Sequence, residues 1–422
     1  MLKNPQYIQE GMPILYEHLE IRHLPETLEL KHHNETTAAS IAQLVLSYLL
    51  DRDRGYRSQV SDFNEFNKVW PLICQWIDVT VRYIIYHCPS LHTRDLTESL
   101  VIFGYFLKTI ISQKSQLLTA EVVTPILRLW LAAPNNPILF SAITHKLIED
   151  LPVLMSGLEK CVQDILASLP QLNTDTRAAS QRADGLLRER PSEFALAAVK
   201  HIELSLSRVE ALPTDTKSLS VLELASDSTE ISNHVTNVDL VRRAFPFLRT
   251  IPMVTSLLMM TVARPFEAST AKNTLYIVIK LVSHITIAAQ APRGQEWVLA
   301  AFRHGLLDHI YHFSPWLKWM AKRPLGHHYH RLAEELTGFI REWIAPYLFF
   351  LPVAREIHHY SSKTALHSGN VDMGSASAVW RQMLRMVRDA RCLHLRAPDV
   401  ICNWDKASLY HARQDWRTIT IA

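Results

Sequence analysis

Apolar side chains recur at helical spacing along most of the chain. Residues 34–50 begin at Asn34, a residue type that often caps a helix, and then place apolar side chains on one face at Ile41, Leu44, Val45, Tyr48 and Leu49. The same periodicity predicts helices over residues 93–112, 120–132, 138–148, 152–168, 192–210, 236–249, 269–289, 294–320, 326–349 and 377–391. Alternating strand patterns are short and few. The pattern therefore predicts an all-α fold with on the order of 14 to 16 helices.

Two polar stretches interrupt the helical pattern. Residues 171–190 are poor in apolar side chains, which predicts an exposed helix or a mobile loop. Residues 361–375 are rich in Ser, Gly and other small residues, which is typical of a linker. We therefore expect a helical, repeat-like domain over residues 1–360, a linker over 361–376, and a C-terminal helix with a small tail over 377–422.

Helix and turn lengths favour a particular kind of all-α architecture. Predicted helices of moderate length follow one another through short Pro/Asn turns, such as residues 133–137, for most of the chain. Such a series favours an irregular armadillo- or HEAT-like helical solenoid. The chain matches no tetratricopeptide or ankyrin consensus at a fixed period. A multi-helical array without true repeats is therefore the alternative.

Composition removes several classes of function. The chain of 422 residues is 48% hydrophobic, which excludes global disorder, and its 44 Lys+Arg and 41 Asp+Glu give a net charge of only +3. This charge gives no strong nucleic-acid signal. With 11 glycines and neither GxGxxG nor GxxxxGK[ST], a phosphate-binding loop is not expected. Without a GxSxG nucleophile elbow either, we predict no catalytic residues and no enzyme.

Cysteine usage and hydropathy bear on compartment. Five cysteines at irregular spacing argue against a disulfide scaffold. The N-terminal residues show no apolar signal-peptide core. The longest apolar stretch, residues 251–263, is too short for a bilayer, which needs about 20 residues. The sequence therefore predicts a cytoplasmic or nuclear protein without membrane contact.

Histidine and methionine clusters have structural interpretations. Histidines stand side by side at residues 32–33, 327–328 and 358–359, but no HExxH motif sets two of them on one helical face. We interpret them as surface or core histidines. Residues 246–266, rich in Met and Phe, favour core packing over a pliable binding groove.

The C-terminal tail contains the one arrangement of residues that suggests a metal. Cys392 and Cys402 are followed by Asp405 at Cys-x2-Cys spacing, and then by Tyr410 and His411. Gln414, Asp415, Trp416 and Arg417 come next. This order resembles a degenerate, truncated MYND-type zinc finger, in which Cys pairs precede a Tyr-Cys step and an Asp-Trp pair. Asp389 and His411 stand where that family has cysteines, and the final His and Cys of the finger have no counterpart.

The MYND resemblance implies a ligand set and a protein class. It implies that zinc, if bound, is held by Cys392, Cys402 and His411, with Asp405 as fourth ligand. Without a functional site there, no cofactor is expected. The layout, a long helical region before such a finger, is similar to that of fungal proteins whose finger is a protein-interaction module.

Three functions compete on these grounds. The favoured hypothesis is a non-enzymatic interaction or scaffold protein that binds a protein partner through a helical surface. The first alternative is a zinc-binding MYND-type protein whose finger is truncated in this chain. The second is an all-α enzyme with an active site built from distant positions, which strongly perturbed titratable groups in one pocket would favour.

Overall fold

The computed structural model describes just over half of the chain, as helices and their connections. The described residues are 63–87, 93–113, 117–144, 153–169, 177–211, 219–264, 270–312 and 350–363, with single residues at 334, 338, 347, 381 and 385. Within those ranges the chain forms fourteen α-helices, one short 3-10 helix and no strand. The predicted all-α fold is confirmed as an array of packed helices. The chain divides into two compact units, residues 1–200 and 201–422.

The described residues of unit 1 form six complete α-helices and the start of a seventh. They are α1 (Phe63–His87), α2 (Thr93–Gln113), α3 (Ala120–Ala132), α4 (Pro137–Thr144), α5 (Leu154–Ala167), α6 (Arg177–Glu189) and the first part of α7 (Pro191–Ala211). The bounds of α3 are those that the periodicity predicts. The polar stretch 171–190 forms α6 over most of its length, so the exposed helix was the better interpretation.

Helix α3 lies at the centre of unit 1. It packs against α1, α5 and α6, while α2 packs against α1 and α5. The core around it is aromatic: Trp70 stacks on Phe106 with ring centroids 5.3 Å apart, and Trp130 stacks on Phe194 at 6.2 Å. The Trp70 indole N–H also donates to the Leu117 carbonyl at 3.1 Å, so this buried ring keeps its polar atom satisfied.

The described residues of unit 2 form the end of α7 and seven further α-helices. They are α8 (Leu219–Val235), α9 (Asp239–Ala244), α10 (Phe247–Val262), α11 (Ala271–Gln290), α12 (Gly294–Arg303), α13 (Leu306–His312) and α14 (Leu351–Lys363). Helix α11 is the central element and packs against α8, α10 and α12. Its apolar sequence matches this position, because it is buried on most of its circumference. The Met- and Phe-rich stretch forms α10, whose buried face belongs to the core.

Two helices predicted as continuous are broken. The predicted helix 236–249 is interrupted at Phe245, which is extended (φ −76°, ψ 125°) because the following Pro246 disfavours helical geometry in the residue before it. The predicted helix 294–320 is interrupted after Arg303, where Gly305 takes a φ of +89° that ends α12. The hydrophobic periodicity continues across both breaks, so the sequence pattern predicted one helix in each place.

The predicted domain boundaries fall mostly outside the described residues. Helix α14 runs to Lys363, so the first residues of the predicted linker 361–376 are helical. The rest of that linker and nearly all of the tail, residues 377–422, lie outside the described ranges. The described helices vary from 6 to 25 residues, and their arrangement as a solenoid stays a prediction.

Candidate functional site

Unit 1 has an open cleft of about 720 Å³ between α1, α3, α6 and the start of α7. Its apolar lining comes from all four helices: Ile85, Leu127, Leu131, Leu186 and Phe194. Leu127 and Phe194 are buried, whereas Ile85, Leu131 and Leu186 stay partly exposed. The cleft therefore has an apolar floor that solvent can reach.

The contacts around the cleft give the helices a common direction. Early in α1, Trp70 contacts Leu117 just before α3, and just over two turns later Asp78 pairs with Arg128 within α3. Likewise Arg182 of α6 meets Thr124, and Phe194 just after α6 stacks on Trp130. Helices α1 and α6 therefore both run parallel to α3. Helix α3 forms the floor of the cleft, and its two neighbours form the walls.

Three arginines line the part of the cleft around Thr124 and Arg128 of α3: Arg82 of α1, Arg128 itself and Arg182 of α6. Arg128 and Arg82 share one carboxylate, Asp78, with the Arg82 Nε 3.3 Å from its Oδ2. Arg182 donates from Nε to the Thr124 hydroxyl at 3.3 Å. Among the described residues, no carboxylate pairs with Arg182. This group of three, the arginine cluster, therefore has more N–H donors than its single carboxylate can accept.

The opposite end of the cleft is mixed in charge. The Arg190 Nη1 lies 3.6 Å from the Oε2 of Glu193, three residues further along the chain, and Glu189 lines the same end. Tyr86 stands here with 67% of its surface exposed, an unusual amount for a large aromatic side chain. A partly desolvated apolar floor with an exposed tyrosine and arginines on its rim has the composition of a protein-interaction surface.

Unit 2 contains a second arrangement of chemical interest, buried in its core. His284 of α11 lies between two polar partners: its Nδ1 is 2.8 Å from the Asn233 Oδ1, and its Nε2 is 2.9 Å from the Thr250 hydroxyl. Asn233 uses its Nδ2 to donate to the Lys280 carbonyl at 3.1 Å, so its Oδ1 must accept a proton from Nδ1. The Nδ1 of His284 therefore carries a proton. Because burial lowers the pKa of this imidazole to about 3, it is neutral at pH 7, and its Nε2 accepts from the Thr250 hydroxyl.

The order hydroxyl, imidazole and amide resembles a nucleophile, its base and an orienting residue. Thr250 and His284 are, however, completely enclosed, and the rings of Phe245 and Phe247 lie 5.8 Å from the imidazole. Burial lowers the pKa of His284 to about 3, because the charged imidazolium would lose its hydration. Asn233, Thr250 and His284, the histidine network, join α8, α10 and α11 through hydrogen bonds that satisfy their buried polar groups.

The histidine network makes stability depend on pH. Above the unfolded-state pKa of about 6.5 the imidazole is neutral in both states, so it adds no pH dependence. Below pH 6.5, His284 takes up a proton in the unfolded chain, whereas in the folded chain it stays neutral down to about pH 3. The free energy of unfolding therefore falls as the pH is lowered. We expect a loss of about 2 kcal/mol between pH 7 and pH 5 from this residue. Denaturant titrations at each pH should show it, and the variant His284→Gln should lack this component of the slope.

A charged cluster joins the same helices at the surface. Lys280 of α11 pairs with Asp227, and its Nζ lies 2.8 Å from the Glu230 Oε2; both partners are on α8. Burial opposes the charge of this ammonium, but Asp227 and Glu230 together outweigh it and raise the pKa of Lys280. The lysine stays charged and contributes to the α8–α11 contact.

Two of the five cysteines lie in the described residues. Cys74 in α1 and Cys161 in α5 are buried free thiols. Burial raises the pKa of both, so neither forms a thiolate at neutral pH. They are packing residues, as the prediction of no disulfide scaffold implies.

The predicted zinc ligands Cys392, Cys402, Asp405 and His411 all lie outside the described residues. Within the described part of the chain, no three His, Cys, Asp or Glu side chains converge to hold a metal ion. Of the paired histidines, residues 358–359 fall in α14, where His359 is exposed. None of the helices in the described ranges combines the length and apolar character needed to cross a membrane.

Comparison with known proteins adds no relative. No family model, no curated protein and no solved structure matches the chain. The cleft and its charges are therefore the features of this protein that indicate its function. The sequence analysis did not predict the cleft. The one feature of the cleft that is visible in the sequence is the arginine-rich, polar stretch 171–190.

Proposed function

We propose that this chain is a non-enzymatic interaction protein, and that the cleft of unit 1 receives a short segment of a partner protein. The observation that carries this proposal is the combination of a solvent-accessible apolar floor, an exposed Tyr86 and a rim of arginines. Binding energy at such surfaces comes from a few apolar and aromatic anchors surrounded by polar groups.

The size of the cleft suits a segment of a few residues. The floor residues of α3 run from Thr124 to Leu131, which at 1.5 Å per residue is about 10 Å. That length accommodates roughly two turns of a partner helix or three residues of an extended strand. Because parallel helices hold the floor and both walls, the cleft is formed before a partner binds. A preformed site loses little conformational entropy on binding, which supports recognition of a short segment.

Thiol chemistry supports a cytosolic or nuclear place for this function. Cys74 and Cys161 are unpaired and buried in unit 1, the unit that contains the cleft. Such thiols are typical of proteins that work in a reducing compartment.

The proposal predicts that removing the exposed tyrosine weakens binding without unfolding the protein. Peptides selected from a phage-displayed library of random 12-residue sequences serve as the probe, and their affinities are measured by fluorescence polarisation. We expect Tyr86→Ala to weaken binding about tenfold or more, as loss of an interface anchor does. Melting temperature should change little, because the side chain is largely exposed.

The matched control removes another exposed apolar side chain of unit 1. Ile138 in α4 is 52% exposed and does not line the cleft, so Ile138→Ala should leave peptide affinity unchanged. Selection of no peptide, or equal affinities for Tyr86→Ala and Ile138→Ala, would contradict the proposed function.

A further inference from the structure

We infer that the partner segment is acidic, with a carboxylate that binds the arginine cluster and an apolar side chain that enters the cleft beside it. This inference rests on the proposed function and specifies the chemistry of the partner. It follows from charge complementarity between the cleft and its occupant.

The arginine cluster is positive after its internal pairing is counted. Arg82, Arg128 and Arg182 carry three positive charges, and Asp78 supplies one negative charge to two of them. Arg182 is held in place by Thr124, a neutral acceptor, which orients the guanidinium without neutralising it. Its remaining N–H donors have the fork geometry that binds a carboxylate through two parallel hydrogen bonds.

The position of the cluster fixes where the carboxylate must be in the partner. Thr124 and Arg128 lie one turn apart on α3, and Leu131 follows within the next turn. Along the axis of α3, the apolar Leu131 therefore lies about 5 Å beyond Arg128. A partner helix spans that distance with residues three or four apart, and an extended chain with residues two apart. The partner motif is thus Asp or Glu with an aliphatic or aromatic residue two to four positions away.

The charges at the opposite end of the cleft also limit which segments can bind and in which orientation. Glu189 and Glu193 line that end with Arg190, so a uniformly acidic ligand would meet like charge there. The favoured segment is acidic at the end that contacts the arginine cluster and neutral or basic at the other. This polarity gives the segment one orientation in the cleft.

The experiment uses the full 422-residue chain and the same library of random 12-residue peptides. We expect the enriched peptides to share Asp or Glu two to four residues from an apolar residue. Arg182→Glu should weaken their binding at least tenfold, and Arg182→Lys should give an intermediate loss because a point charge replaces the fork. Raising the salt concentration from 50 to 300 mM should weaken binding several-fold.

The control reverses a charge elsewhere. Arg355 is exposed on α14 in unit 2, so Arg355→Glu changes the net charge equally and should leave affinity unchanged. If the enriched peptides lack acidic residues and bind Arg182→Glu as well as wild type, while Tyr86→Ala still weakens them, the acidic-partner inference is wrong and the cleft remains a binding site. If Tyr86→Ala also has no effect, the proposed function itself fails.

Discussion

Replacing His284 by leucine should lower the free energy of unfolding by about 3 kcal/mol. The substitution keeps an apolar side chain in the core but leaves the Asn233 Oδ1 facing it without a donor. A buried acceptor without a partner costs roughly 1–3 kcal/mol, and the mismatch of leucine against the flat imidazole beside Phe245 and Phe247 adds to this. Hydrogen exchange of the α8, α10 and α11 amides measures the loss locally, with unit 1 amides as an internal reference.

Two companion variants separate the network from a general effect of losing a histidine. His304 is exposed after α12, so His304→Leu should change the free energy of unfolding by less than about 0.5 kcal/mol. Adding Asn233→Leu to His284→Leu removes the orphaned acceptor and should recover part of the loss, since replacing both partners is less costly than replacing one. If the double variant loses as much free energy of unfolding as His284→Leu and Asn233→Leu lose together when measured singly, the two side chains are not coupled.

Helices with a continuous apolar stripe were predictable from sequence. The bounds of α3 agree with the prediction, and those of α11 agree within two residues. In both helices most of the buried side chains are apolar, so the hydrophobic period and the buried face coincide. The burial of α11 on most sides could be predicted for the same reason, because its apolar residues surround the helix axis.

Helix α8 shows why the hydrophobic pattern does not predict every helix. Its buried positions include Ser226, Ser228, Thr229, Ser232 and Asn233, which a hydropathy pattern counts as surface. Several of these side chains are satisfied within the helix: Thr229 donates to the Ala225 carbonyl at 3.1 Å, and Ser226 donates to the Glu223 carbonyl at 2.7 Å. Small polar residues that bond their own helix can be buried at little cost, so this helix lacks the apolar stripe that would reveal it.

The candidate site could not be predicted because its residues are brought together only by packing. Arg82, Arg128 and Arg182 lie about fifty residues apart along the chain, on three different helices. Nothing in their local spacing distinguishes them from other surface arginines. The exposed, polar character of residues 171–190 was visible, but its neighbours across the cleft depend on the parallel packing of α1, α3 and α6.

The second large effect is expected at Gly294, the first residue of α12. A Cβ at this position would collide with the Ala289 carbonyl oxygen and the Tyr347 hydroxyl. These two groups are hydrogen-bonded to each other at 2.7 Å, so even a methyl group must separate them or shift the backbone. We expect Gly294→Ala to lower the free energy of unfolding by about 3 kcal/mol, from overpacking and the loss of this hydrogen bond. Denaturant titration measures the loss, and hydrogen exchange locates it at the junction of α11 and α12.

The same substitution at Gly185 should have the opposite sign. Gly185 lies inside α6, and a Cβ built there meets no atom within 4 Å. Alanine at this position restricts the unfolded chain without a steric cost, so Gly185→Ala should stabilise the protein by about 0.5–1 kcal/mol. Because the two variants add one identical methyl group, a difference in sign can come only from the surroundings of each glycine. Equal effects at both positions would mean that the close approach of Ala289 and Tyr347 to Gly294 does not constrain the fold.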